Sequence, residues 1–415
     1  MAKQPIFRLF AFALALVFSV AAGFSQQTQR TVFDVTDYKM DVQLSPNDNR
    51  LNATVDVTFV PGTETRSVAF ELNGSLVVES IVRIGATVPT AVPSASPKPG
   101  VKPTPKPAVR PTQNQVTFFQ DRAGVGELGP SVRVDLGEMI PAGAPVTLRF
   151  KYAGVLVTAE GGPLLTKRLV YVGSGNGYLL YAGRWFPFNN YAADRATSDI
   201  SISIPAGFTI TGYSDLPVTT AGGKQRFVST KPALIGNFAY DRYTTQSLRF
   251  ADYEVQFNTK AVNPTLVAEL GETVGRALDS YGKRFGVANN GRKLIIAQID
   301  DDSLEYYSAP GMIFVASRHF DESREIVKDR LQREAAFQWW GLTVGLASFD
   351  DAWLSQGLAE YSAFSLRESM IQGPALENLR RELLEKALTF EQTSSLLRTP
   401  SNLDDQSTAY QYIMF

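Results

Sequence analysis

Apolar and polar residues alternate along most of the first half of the chain. Residues 38–44 (YKMDVQL), 51–60 (LNATVDVTFV), 67–72, 76–84, 116–119, 131–136 and 145–152 all place apolar side chains two positions apart, the period of a strand with one buried face. Gly, Pro, Asn and Asp separate these runs. Residues 31–240 therefore predict an all-β region of open antiparallel sheets. After residue 259 the period changes. Residues 264–285 repeat at helical spacing, with Pro264 at the start and Gly286 just past the end, the expected punctuation of a helix. Residues 293–299 (KLIIAQI) predict a short buried strand, and residues 331–361 and 373–390 predict further helices. The expected fold class is α+β and multidomain, with a β-rich N-terminal domain over residues 26–240 and an α+β domain over residues 241–415.

Two stretches break this pattern. Lys3 and Arg8 precede an apolar run over residues 9–20, and Ala21, Ala22, Gly23 and Ser25 follow it. That layout predicts a secretory signal over residues 1–25, cleaved between Ala21 and Gln26, with an apolar run short for an anchor. No later segment is apolar for long enough to span a bilayer, so an exported protein without a stable membrane span is expected: periplasmic, cell-surface or extracellular. Residues 86–111 (ATVPTAVPSASPKPGVKPTPKPAVRP) are the second stretch. Proline cannot donate to a sheet ladder, so this segment predicts an exposed, extended insertion between two strands. A docking motif or envelope tether is the alternative.

Composition narrows the chemistry. Forty Lys and Arg stand against 41 Asp and Glu in 415 residues, for a formal net charge of −1. That balance gives no reason to expect nucleic acid as a partner. The chain has no Cys and one His, so it forms no disulfide, and no ordinary zinc site of any spacing can be assembled from it. His319 is expected to be a structural side chain. Asp300, Asp301 and Asp302 lack the glycine and closing glutamate of a calcium loop and are expected to form a solvated turn.

The most specific signal lies in residues 331–361, LQREAAFQWWGLTVGLASFDDAWLSQGLAEY. A zinc-peptidase core places HExxH on one helix, with the two His one above the other, and a glutamate ligand on the next helix. This segment has that layout with Arg333, Glu334, Ala335, Ala336 and Phe337 in the motif, and Gln356 after eighteen intervening residues. QWWG after the motif and DDAWLSQGLAEY resemble the corresponding blocks of the membrane alanyl aminopeptidase family, the M1 class of gluzincin zinc peptidases. A second block over residues 183–216 (GRWFPFNNYAADRATSDISISIPAGFTITGYSDL) is similar to one near the end of that family's N-terminal domain, with Asn189, Asn190 and Tyr191 where acidic residues are usual. Its aromatic residues read physically as core.

The resemblance implies a partial thermolysin-like domain over residues 241–415. It places the zinc ligands at Arg333, Phe337 and Gln356 and retains only the general base, Glu334. Aligning GMIF in residues 305–320 on the family's substrate-pairing run puts Ser308 where a glutamate holds the substrate's free amine, and makes Gly311 and Met312 substrate-binding positions. Phe415 falls on the tyrosine that stabilises the oxyanion; the helices that complete such a domain do not follow it, and a gene fragment or a shortened protein is expected. An arginine about 3 Å from a divalent cation is repelled by about 10 kcal/mol even at an effective dielectric near 20. That is comparable to the roughly 10 to 16 kcal/mol with which a structural zinc binds. No cofactor is therefore expected, and Phe337 is expected to fill the ligand space; the alternative is that Arg333 swings away and another cation enters. The expected function is an exported, non-catalytic peptidase homologue that binds extended peptides along residues 312–316. The alternatives are a working zinc aminopeptidase and a structural module with an envelope protein as partner.

Overall fold

The computed structural model describes residues 32–85, 115–123, 129–156, 167–189, 194–260, 262–301, 303–320, 324–347 and 351–390. The expected signal segment, the proline-rich insertion, Asn190, Tyr191, Asp302 and Phe415 lie outside them. In chain order the strands are β1 (Phe33–Ser45), β2 (Arg50–Pro61), β3 (Thr65–Glu71), β4 (Leu76–Ile84), β5 (Thr117–Asp121), β6 (Ser131–Ile140), β7 (Val146–Val155), β8 (Val170–Val172), β9 (Gly177–Leu179), β10 (Ala196–Ser203), β11 (Thr209–Gly212), β12 (Thr219–Ala221), β13 (Lys224–Ala233), β14 (Phe238–Asp241), β15 (Thr244–Phe250), β16 (Tyr253–Thr259), β17 (Lys293–Ile299), β18 (Tyr306–Ala309) and β19 (Met312–Ala316). The helices are α1 (Pro264–Phe285), α2 (Arg324–Phe337), α3 (Ala352–Glu368) and α4 (Pro374–Phe390).

The first unit is built from the alternating runs. Seven strands form one sheet in the order β12-β13-β10-β1-β2-β7-β4, and β3-β6-β5 form a second. Strand β1 alternates buried and exposed residues along most of its length. Its inward Val35, Tyr38, Met40 and Val42 join inward residues of both sheets in one core. Trp185, Phe186 and Phe188 lie in that core, as the aromatic reading of their block required. Trp185 donates from its indole Nε1 to the Gly236 carbonyl at 2.9 Å, so its one polar atom is satisfied. Arg184, beside them, is instead a buried ion, its Nε 2.9 Å from Glu71 Oε2.

The second unit begins with β15 and has a five-stranded sheet in the order β15-β16-β17-β19-β18. Strands β16, β17 and β19 run parallel, and the two edge strands are antiparallel to their neighbours. A parallel sheet covered on both faces needs strands that are apolar throughout, which is why KLIIAQI and MIFVA show no alternation. Leu294, Ile296, Ile313 and Val315 pack with α1 and α2 residues such as Leu278 and Leu331. Ile295, Ala297, Met312 and Phe314 face the other way and pack with Leu169, Tyr178 and Ala239 of the first unit. Helix α1 starts where its signals predicted: Asn263 caps it by accepting from the Thr265 N–H at 2.9 Å, and Gly286 ends it at φ 82°.

Two expectations are corrected here. Strand β19 lies inside the sheet, paired with β17 on one side and β18 on the other. Its backbone is already engaged on both sides, so residues 312–316 cannot pair with an extended peptide; the edge strands of this sheet are β15 and β18. Asp301, expected in a solvated turn, is buried instead. It is 7% exposed, and its carboxylate accepts from Tyr178 Oη, from Ser303 Oγ and from the Ser303 and Leu304 amides at 2.6 to 2.7 Å. Asp300 accepts from Asn176 at 3.1 Å and pairs with Lys260 and Ser317. Because Tyr178 and Asn176 belong to the first unit, these carboxylates join the two units.

Candidate functional site

The segment with the zinc-peptidase layout folds as two helices, α2 and α3, that pack on one another within the second core. Arg333 and Glu334 sit one turn from the end of α2, and Gln356 lies early in α3. Arg333 is 4% exposed and Glu334 5%. Two adjacent residues of opposite charge are thus buried together, which requires that their polar atoms be engaged.

The guanidinium of Arg333 supplies that engagement. Its Nη1 donates to Glu334 Oε1 at 2.6 Å, its Nη2 donates to Gln356 Oε1, and its Nε lies 3.2 Å from Glu360 Oε2. One planar fork thus donates to two acceptors and sets its Nε beside a third side chain, the Glu360 carboxylate. Burial lowers the pKa of Arg333, while Glu334 and Glu360 act in the opposite direction and raise it. The pairing continues outward. Arg330 Nε is 3.5 Å from Glu334 Oε1, and Arg367 stands 3.6 Å from Glu360 Oε1 and 2.9 Å from Asp329 Oδ2. Three arginines therefore alternate with three carboxylates from α2 to α3.

The edge strand β18 closes the other side. Ser308 Oγ donates to Glu334 Oε2 at 2.7 Å, so the serine that the resemblance aligns with the amine anchor touches the carboxylate that it aligns with the general base. Gly311 forms the turn between β18 and β19 at φ 68°. Its N–H donates to Gln338 Oε1 at 2.9 Å, and Gln338 Nε2 donates to the Ala309 carbonyl at 3.2 Å, with the Met312 carbonyl 3.4 Å away. The Gln338 amide thereby ties this hairpin to the end of α2. His319 is buried, with its ring stacked 4.7 Å from that of Tyr306, and the Arg330 guanidinium lies 5.5 Å over the same tyrosine.

Of the positions singled out in the sequence, Arg333, Glu334, Gln356 and Ser308 converge. Gly311 and Met312 lie nearby with their backbones engaged by Gln338 and the sheet. The space between Glu334 and Gln356 is filled by the guanidinium and not by Phe337. That ring is half-buried, packs against the second core and lies against Gly341, where an added Cβ would meet it at 2.4 Å. Sequence reasoning missed Glu360, Arg367 and Gln338. Glu360 sits four residues after Gln356 and so on its helix face, a signal that was available once Gln356 was singled out.

These residues do not fit a zinc ion. The seat offers one amide oxygen and two carboxylates, Glu334 and Glu360, each of which already faces two arginines. Among the described residues no group of three or more His, Cys, Asp or Glu side chains could hold a metal.

No protein-family profile and no curated protein sequence matches the chain. Solved structures do. An M1 zinc metallopeptidase from Deinococcus radiodurans superimposes with a TM-score of 0.66 at 16% identity, covering 92% of this chain and 81% of its own. A glutamate-to-alanine mutant of a two-domain M1 zinc metallopeptidase bound to L-tryptophan gives 0.68 at 18% identity with the same coverage. The mutant of the Deinococcus enzyme bound to a Tyr-Ser-Ala substrate gives 0.65 at 18%, covering 86% of this chain and 75% of that one. The chain has the fold of the M1 zinc metallopeptidases, with a β-rich N-terminal domain followed by an α+β domain.

Proposed function

We propose that the protein is a metal-free, non-hydrolytic homologue of the aminopeptidases whose fold it shares, and that it binds extended peptides along the edge of β18. One observation carries the reading: the Arg333 guanidinium lies between Glu334 and Gln356, the positions the resemblance gives to the general base and the third zinc ligand. A carboxylate paired with an arginine has no metal-bound water to deprotonate and nothing to polarise a substrate carbonyl. Edge pairing on β18 would supply affinity through main-chain hydrogen bonds, with side-chain specificity from alternate positions. Export, drawn from the N-terminal residues, belongs to the same proposal.

The fold itself favours a second reading, a working zinc aminopeptidase. That reading needs Arg333 to leave its three partners and a donor set from elsewhere to replace it. The deciding measurement is metal content with activity. Purified protein is expected to carry far less than one zinc per chain and to leave aminoacyl anilides intact, while titration with labelled peptides shows saturable binding that Ser308→Pro on β18 weakens. Stoichiometric, chelator-sensitive zinc with hydrolysis would establish the second reading instead.

A further inference from the structure

We infer that Arg333 is a resident substitute for the metal ion: its guanidinium occupies a cation seat that joins α2 to α3, and the seat is specific for guanidinium over spherical cations. The inference rests on the metal-free reading above and adds what holds the site together in its place.

Three observations support it. The acceptors come from both helices, Glu334 from α2 and Gln356 and Glu360 from α3, so the cation bridges elements as a structural metal does. The acceptors are arranged for a fork, because three different nitrogens of one guanidinium face three different side chains, which a single ammonium or a small ion cannot reproduce. The flanking charges hold the seat in place: Arg330 faces the same carboxylate as Arg333, and Arg367 faces Glu360 from its far side. Removing the guanidinium would therefore leave a buried site with two carboxylates and an amide oxygen, and a ligand that restores it must be a planar, multidentate cation.

Chemical rescue tests this on the full chain. Arg333→Ala is expected to lower Tm by several degrees. Tens of millimolar guanidinium should then raise the Tm of that variant at matched ionic strength, whereas sodium, zinc and tetramethylammonium should not. Wild type, with its seat filled, should show no rise. Arg333→Lys keeps the charge without the fork; it should also melt below wild type and gain nothing from guanidinium, and it remains informative if Arg333→Ala does not fold. Equal effects of guanidinium on wild type and Arg333→Ala, or a lysine variant as stable as wild type, would overturn the inference. Zinc content of wild type reads out separately: a metal-loaded wild type would remove the premise, while a metal-free wild type without guanidinium rescue would remove the inference alone.

Discussion

Gln338 shows how much one side chain carries here. It is fully buried, and its amide accepts from Gly311 and donates to Ala309. Gln338→Ala would leave a buried N–H and a carbonyl without that partner and open a cavity, at a cost of about 2–4 kcal/mol. Denaturant unfolding should show this as a lower midpoint with little change in slope. Asp194 behaves differently. Burial and then the neighbouring Asp34 raise its pKa, the Val35 and Asn189 donors oppose them, and the carboxyl ends at about 7. The folded state then holds a proton that the unfolded state, with a carboxyl near 4, has released. Stability from this group is full at about pH 4 and falls as pH rises toward 7. Asp194→Asn is expected to stabilise the protein at pH 8 by an amount on the order of 2 kcal/mol, and to change little at pH 4. Equal effects at both values would show that Asp194 is not held protonated. The sequence made Arg333, Glu334 and Gln356 visible because their spacing is a motif. It hid Asp194, whose environment comes from β1, about 160 positions away.

At the scale of elements, α2 and α3 are the frame. Residues 333 and 337 stand one helical turn apart on α2, and the Arg333–Gln356 hydrogen bond brings the third position across from α3. Arg333→His, Phe337→His and Gln356→Glu together are therefore expected to bind zinc at micromolar or tighter concentration, as three ligands on packed helices are partly preorganised. Activity should not return with the metal, because Ser308 offers no carboxylate to a substrate amine. Calorimetry on the triple variant and each single variant, with circular dichroism on each, checks the prediction; a folded triple variant no better than wild type would mean that the positions do not converge. The start of α1 and the strands of the first unit were legible because caps, turns and period-2 patterns act locally. The interior place of β19 was not, since an apolar run of five residues is the same whether it ends a sheet or lies within one.

Across the whole molecule, Asp300 and Asp301 hold the two units together. Burial pushes both carboxyls up. The hydrogen bonds outweigh it, from Lys260 and Ser317 on Asp300 and from Ser303, Tyr178 and Leu304 on Asp301, and both end below the ordinary value. The sign is opposite to that of Asp194. Their stabilisation is present above the unfolded pKa near 4 and is lost as pH falls through the folded values below it. Asp301→Ala removes a buried acceptor shared by four donors, and a loss of about 2–4 kcal/mol at pH 7 is expected. The loss should shrink below pH 3. Limited proteolysis at neutral pH should cut this variant faster between the units; unchanged cleavage would show that the apolar contact of Met312 and Phe314 with Tyr178 holds the junction by itself.

The sequence by itself determined the kind of element that dominates each half, the β-to-α+β division and which donor atoms residues 333, 337 and 356 can offer, because each depends on local periodicity or on the side chain alone. Tertiary structure decided what lies between Glu334 and Gln356 and what each strand faces. A guanidinium finds its acceptors only after α2 and α3 have packed. A backbone edge is open or closed only after every strand has a neighbour, and an aspartate in a polar run becomes buried only when a second unit closes over it.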